Sequence, residues 1–257
     1  MKKILPVCIF TKNRTMVACA TIEALLSKLT ADGYKMHYIV CDDRSKPGHL
    51  GAIKSVFDRF GEKPTVLVND SKRWGLGASM NNGLEAAFNM SDVCLRMEDD
   101  WMLDRPLDIG SWASCMDELS IGSIRLGMMF RNEYELKKFG NGLLRLSSDS
   151  NRRYNFNNQI ALVTRACYDL CGKYLENAFP QDVERDMADK FNQETHFGVL
   201  SPWVCWPEGW ARKKYYDKTL PFVHIGRSSI GHNYQIPFKY HDLNNPEFDE
   251  KLREKYA

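Results

Sequence analysis

Val93-Cys94-Leu95-Arg96-Met97 runs straight into Glu98-Asp99-Asp100-Trp101. A short, mostly apolar run of this kind reads as a buried strand, and it delivers three adjacent acids to its end. Side-by-side carboxylates repel unless a cation or a cationic ligand sits between them. Oxygen ligands at a strand end suit a hard divalent ion, Mg²⁺ or Mn²⁺, which can in turn hold a diphosphate.

Upstream of this stretch the same unit recurs. Leu5 to Phe10 reads as a buried strand, followed by the polar loop Thr11-Lys12-Asn13-Arg14. A helix is expected from about Thr15 to Leu29, with Val17, Ala20, Ala24 and Leu25 on one face. Met36 to Cys41 reads as a second strand ending in Asp42-Asp43-Arg44-Ser45, and Leu50, Ile53, Phe57 and Phe60 mark a second amphipathic helix. Thr65 to Val68 is a third strand, a helix follows near Ala78 to Phe88, and Val93 to Met97 is the fourth strand.

Four strand–helix repeats predict an α/β fold with a mainly parallel, Rossmann-like sheet flanked by helices. In such sheets ligands bind beyond the carboxyl ends of the strands. Those ends carry Thr11 to Arg14, Asp42-Asp43 and Glu98 to Asp100, so three polar clusters are expected to converge on one edge.

The second half is less regular. A helix is expected around Ile109, Trp112, Met116 and Leu119, with strands at Gly122 to Phe130, Leu143 to Ser147 and Gln159 to Thr164. Asp182 to Phe191 reads as a charged helix, and the Trp-, Tyr- and Pro-rich tail from Ser201 as ordered loops. With no linker or repeat, residues 1–257 are expected to form a single domain, 1–105 as a ligand-binding half and 106–257 as a second half.

Composition narrows the class. The chain has 257 residues, 44% hydrophobic and 26% charged, which is the balance of a folded globular protein. Its 35 basic and 33 acidic residues leave a net charge of +2, which neither demands nor excludes a polyanionic partner. The eight cysteines contain no CxxC pair, no signal-peptide h-region follows Met1, and no run is long enough to span a membrane. Reduced thiols and a cytoplasmic location are expected.

Together these residues resemble the GT-A nucleotide-sugar glycosyltransferases, particularly the inverting family 2. Thr11-Lys12-Asn13-Arg14 is similar to that family's T-Y-N-R, and Cys41-Asp42-Asp43-Arg44-Ser45 to its V-D-D-G-S. Gly75, Asn81 and Gly83 keep the spacing of its G-x-x-x-x-x-N-x-G helix start, with Met80 in place of Arg. Glu98-Asp99-Asp100 sits at the position of its D-x-D metal motif. Gln181-Asp182-Val183-Glu184 is similar to its E-D-x-D block with Gln in place of the first acid, and His224-Ile225-Gly226 to its C-terminal metal-site histidine.

The resemblance implies a metal-dependent, inverting transfer from a UDP-sugar to a saccharide or glycoconjugate. It implies Asp100 and His224 as ligands of Mn²⁺ or Mg²⁺, with Glu98 and Asp99 beside the ribose and metal. Thr11, Asn13, Arg14, Asp42, Asp43 and Asn81 would line the nucleotide pocket. Asp182 would be the general base, with Glu184 in reserve; read locally, both equally suit a helix first turn, where acids are favoured by the dipole.

Two clusters bear on the acceptor: Arg152-Arg153-Tyr154 with Phe156, and Trp210 to Tyr216 preceded by Trp203 and Trp206. Basic residues among aromatics can hold phosphates and stack bases. A phage-type enzyme that glycosylates a hydroxylated base in DNA is therefore the alternative, and a non-catalytic nucleotide-sugar-binding module a further one. A nucleotidyltransferase would carry a Gly-rich phosphate loop, and Leu5 to Arg14 contains no Gly.

Overall fold

The apolar runs of the first hundred residues stack side by side, those ending at Thr11 and Glu98 buried on both faces and the edge run Thr65 to Val68 leaving Val66 and Val68 exposed. The computed structural model describes residues 2–127, 136–146, 158–194, 203–208 and 221–225. In order come β1 (Lys3–Thr11), α1 (Thr15–Lys28), the two-residue β2 (Leu29–Thr30), β3 (Tyr34–Asp42), α2 (His49–Arg59), β4 (Thr65–Val68), α3 (Gly75–Phe88) and β5 (Val93–Glu98). There follow β6 (Trp101–Leu103), β7 (Leu107–Asp108), α4 (Gly110–Glu118), β8 (Ile121–Arg125), β9 (Leu136–Gly140) and β10 (Leu143–Leu146). The rest are β11 (Ala161–Thr164), α5 (Arg165–Cys171), α6 (Pro180–Glu194), β12 (Trp203–Pro207) and β13 (Phe222–His224).

Nine strands form one sheet in the order β4-β3-β1-β5-β11-β8-β12-β10-β9. The first four pair in parallel, with Thr11 opposite Asp42 and Phe10 opposite Glu98. Beyond β5 the sheet is mixed: β11 runs antiparallel to both β5 and β8, while β12 returns parallel to β8. Chain order reverses at β1, since β3 and β4 extend to one side and β5 to the other. The crevice between the carboxyl ends of β1 and β5 is thus a topological switch point, where ligands of open α/β sheets bind.

Alternation along β1 divides the core. Leu5, Val7 and Ile9 face α1, α2 and α4, joining Ile22, Leu25, Phe57 and Met116 in one cluster. Cys8 and Phe10 face α3, α5 and α6, joining Met80, Leu84, Val183, Met187 and Phe191 in the other. The buried stripe of α1 centres on Ala18, Ile22 and Leu25 rather than Val17, which is only half-buried, because α2 covers a second flank of that helix. All eight cysteines are buried and unpaired, acting as small hydrophobes.

The expected tail of loops instead supplies two strands. β12 enters the middle of the sheet, and β13 pairs with β6 directly after the acid triplet. Among the described residues no helix is long and apolar enough to cross a membrane.

Candidate active site

At the switch point the end of β1 meets the end of β5. Asp99 is fully buried, and its Oδ2 accepts a 2.5 Å hydrogen bond from Thr11 Oγ1. Thr11 is also 2.8 Å from Nε2 of His49, whose Nδ1 lies 2.8 Å from Thr15 Oγ1. His49 opens α2 and is only 2% exposed. Burial pushes its pKa down, only partly offset by Asp42 nearby. Nothing in the sequence marks this residue, because a histidine after Pro47-Gly48 at a helix start reads as a solvated cap.

Arg14 reaches across from the β1 loop and ion-pairs with both Asp99 and Asp100. Burial works against its charge, but Asp99, Asp100 and Glu98 outweigh that and raise its pKa. Burial likewise pushes Asp99 up to about 6, with Asp100 adding to the rise while Arg14 and Thr11 oppose it. Glu98 is pushed further, to about 8, by burial first and then by the charges of Asp100, Asp99 and Glu184. The cluster is therefore one of crowded acids bridged by Arg14.

The loop after β3 is drawn onto the loop after β1. Asn13, in the left-handed region at φ 57°, donates its N–H to Ser45 Oγ and accepts the Lys46 N–H at Oδ1. Ser45 in turn donates to Asp42 through both its N–H and its hydroxyl. Asp43 accepts from Lys12 at Oδ2 and from Asn69 Nδ2 and the Gly75 N–H at Oδ1. These donors hold Asp43 below the usual carboxylate range although burial opposes them. Asp42 and Asp43 are thus buried beside the crevice, and the second of them anchors the start of α3.

Asn81, a nucleotide contact by the motif spacing, is held by protein partners at each polar atom of its side chain. It is fully buried, and its amide is engaged by the segment between α5 and α6. Nδ2 donates to Tyr174 O at 3.0 Å and to Glu176 Oε1 at 2.8 Å, while Oδ1 accepts from the Tyr174 N–H and the Tyr168 hydroxyl. Arg73 completes this clamp by gripping both oxygens of Glu176. Asn81 therefore fastens the approach to α6 onto α3.

The two acids on α6 lie on opposite flanks, because Val183, Met187 and Phe191 point into the core. Asp182 is exposed and ion-pairs at 3.6 Å with Arg185 one turn on. Glu184 Oε1 accepts the N–H of Asn158, at 3.2 Å, just before β11. Glu184 is likewise exposed, and its charge adds the least of those that raise Glu98. Asn158 is 6% exposed, and its Oδ1 is buried with no hydrogen-bond partner among the described residues.

The backbone of His224 pairs with Trp101, and the next residue, Ile225, donates its N–H to the Asp100 carbonyl at 2.8 Å. The His224 side chain lies outside the described residues, as do the clusters at 152–156 and 210–216 and the side chains of Trp203 and Trp206.

Among the described residues no three His, Cys, Asp or Glu side chains form a ready cage for an ion. Mg²⁺ and Mn²⁺ are commonly held by one or two carboxylates plus substrate phosphates, without a full protein cage. A buried Asp99 and Asp100 already drawing one cation, Arg14, fit that kind of site in charge and in donor chemistry.

The model of glycosyl transferase family 2 matches residues 7–155. A comparison with curated proteins finds no match. Among solved structures, TarS residues 1–349 from S. aureus in complex with UDP-GlcNAc superposes with a TM-score of 0.60 at 13% identity, covering 94% of this chain and 64% of that one. The same protein with UDP gives 0.55 at 14% identity, over 79% and 57% of the two chains. GalNAc-T7 with UDP, GalNAc and Mn²⁺ gives 0.55 at 13% identity, over 80% and 42%. The chain thus spans less than two thirds of the length of these structures. With its parallel half-sheet, its acids at the switch point and a family match over more than half its length, the chain has a GT-A-like fold and belongs to glycosyl transferase family 2.

Proposed function

We propose that this glycosyltransferase draws on a UDP-sugar, works with Mn²⁺ or Mg²⁺ held chiefly by Asp100, and transfers the sugar with inversion to a hydroxyl of a saccharide or glycoconjugate. One observation carries the reading: the loop after β1 brings Thr11 and Arg14 onto the buried carboxylates of Asp99 and Asp100 at the switch-point crevice. The TarS complexes with UDP and UDP-GlcNAc, and the GalNAc-T7 complex with UDP and Mn²⁺, support the choice of donor and ion.

The loops after β1 and β3 are laced together by Asn13 and Ser45, which makes Thr11 to Arg14 and Asp42-Asp43 one rigid wall for the nucleoside. When bound, the cation supplies Lewis-acid stabilisation of the departing nucleotide. Glu184 is the better-placed general base: the Asn158 N–H fixes one carboxylate oxygen and leaves the other for an acceptor hydroxyl. Direct displacement with inversion asks for one such base and no protein nucleophile.

The test is donor hydrolysis with several UDP-sugars and Mn²⁺, followed by mass measurement on candidate acceptors. Turnover of a UDP-sugar and a one-sugar gain on a saccharide are expected. Turnover of other nucleotide-sugars only would overturn the donor assignment, and a gain only on hydroxymethylated DNA would overturn the acceptor class.

A further inference from the structure

We infer that His49 is a positioning residue: as the neutral Nε2–H tautomer it orders Thr11 and, through it, aims the Asp99 carboxylate within the acid triplet. The inference rests on the donor-site reading above for its consequence, though not for its geometry.

The polarity of the chain follows from counting hydrogens. A threonine hydroxyl has one hydrogen, and an ionised carboxylate can only accept. Asp99 Oδ2 stands 2.5 Å from Thr11 Oγ1, so the hydroxyl hydrogen goes to Asp99. Thr11 then turns a lone pair to His49 Nε2 at 2.8 Å, which must carry a hydrogen. That leaves Nδ1 as the lone-pair nitrogen, and Thr15 Oγ1 at 2.8 Å donates to it. Burial keeps the ring neutral, in agreement with this arrangement.

The opposite tautomer would break the chain at its important end. If Nε2 lost its hydrogen, Thr11 would donate to His49 and Asp99 would lose its hydroxyl partner inside a fully buried site. Asp99 Oδ1 is the oxygen that meets Arg14, so a rotated carboxylate would also disturb the Arg14 bridge to Asp100. His49 lies in addition 3.9 Å from Asp42 Oδ1. It therefore stands between the nucleoside wall and the acids, and ties the geometry of one to the other.

Three measurements on the full chain test this. The ¹⁵N shifts of His49 at neutral pH should report a protonated Nε2 and a bare Nδ1; an Nδ1–H tautomer or an imidazolium overturns the inference whatever the enzyme's donor. In His49→Met, the UDP dissociation constant should rise and the rate of donor hydrolysis at saturation should fall, each by about tenfold, the upper end for losing one buried hydrogen bond between neutral groups. His49→Gln, whose amide can donate to Thr11, should restore both to within about threefold.

Should His49→Met fail to fold, Thr15→Val keeps the ring but frees Nδ1, and should shift the tautomer signals and weaken UDP binding by about threefold. Wild-type values in a folded His49→Met, or an equal loss in His49→Gln, would overturn the positioning role. Absence of UDP binding by the unmodified chain would instead overturn the donor reading, with the ¹⁵N spectrum still deciding the tautomer.

Discussion

The guanidinium of Arg14, on the loop after β1, is ion-paired with the fully buried carboxylate of Asp99 at the end of β5. The same guanidinium also meets Asp100, so one side chain offsets the repulsion of two adjacent acids. Arg14 thus does from within the chain what a bound cation would do from without.

Removal of Arg14 should therefore destabilise the cation-free protein and sharpen its response to metal. Arg14→Met is expected to cost about 1–3 kcal/mol, less than a fully buried pair because the side chain is 40% exposed. Thermal melts in chelator and in Mn²⁺ check this: the variant should melt lower than wild type in chelator and gain more than wild type from Mn²⁺. Equal melting in chelator would show that the acids need no partner.

Glu184 and Asp182 are separated by about 200° around α6, and Glu184 is among the charges that raise Glu98. Glu184→Gln is expected to lower transfer by about 10²- to 10⁴-fold, the range for a lost general base. UDP binding should be unchanged in that variant. Asp182→Asn removes only a surface pair with Arg185 and should change the rate by less than about threefold. Single-turnover transfer assays separate the two, and the reverse ranking would return the role to Asp182.

Much of this was legible in the sequence, and the limits have physical causes. β1, β3 and β5 were readable because fully buried parallel strands are unbroken apolar runs, and the rule that ligands sit at their carboxyl ends brought Thr11 and Glu98 to Asp100 together. Helix α6 was readable too, but the row Val183, Met187 and Phe191 says only that both acids lie on flanks. Which flank meets the acids depends on β5, far away in sequence. Asn81 sits at the expected spacing, yet its partners Tyr174 and Glu176 lie more than ninety residues on, and spacing carries no trace of them. β12 and β13 pair with strands far away in sequence, so the Trp and Pro of one and the three-residue length of the other disguised them as loops.

Glu176 gives the clamp a pH signature. Arg73 first, and Asn81 after it, hold this carboxyl down to about 2, against an ordinary glutamate near 4.5. A group whose pKa is depressed on folding stabilises the fold above its unfolded value and loses that contribution as pH falls through the folded one. Wild type should therefore be more stable than Glu176→Gln at neutral pH. The gap should narrow between about pH 5 and pH 2, where the carboxyl takes up its proton. Urea midpoints across that range are the measurement, and a gap independent of pH would mean that Glu176 acts only through its shape.

The closest approach of α3 to the same segment is at Gly77. A Cβ there would lie 1.9 Å from the carbonyl oxygen of Leu175, a backbone atom that cannot swing aside as a side chain would. Gly to Ala within a helix ordinarily stabilises, by restricting the unfolded chain, so the sign of the effect is diagnostic. Gly77→Ala should destabilise by about 2–3 kcal/mol, as overpacking does. Because the displaced segment leads into α6, it should also slow transfer more than it weakens UDP binding. Gly51→Ala on α2 is the matched comparison, with nothing within 4 Å of the added carbon. It should leave both untouched and raise stability by about 0.4–1 kcal/mol. Equal melting temperatures for the two variants would mean that the segment leading into α6 does not lie against α3 in solution, and the placement of Glu184 beside the acids would fall with it.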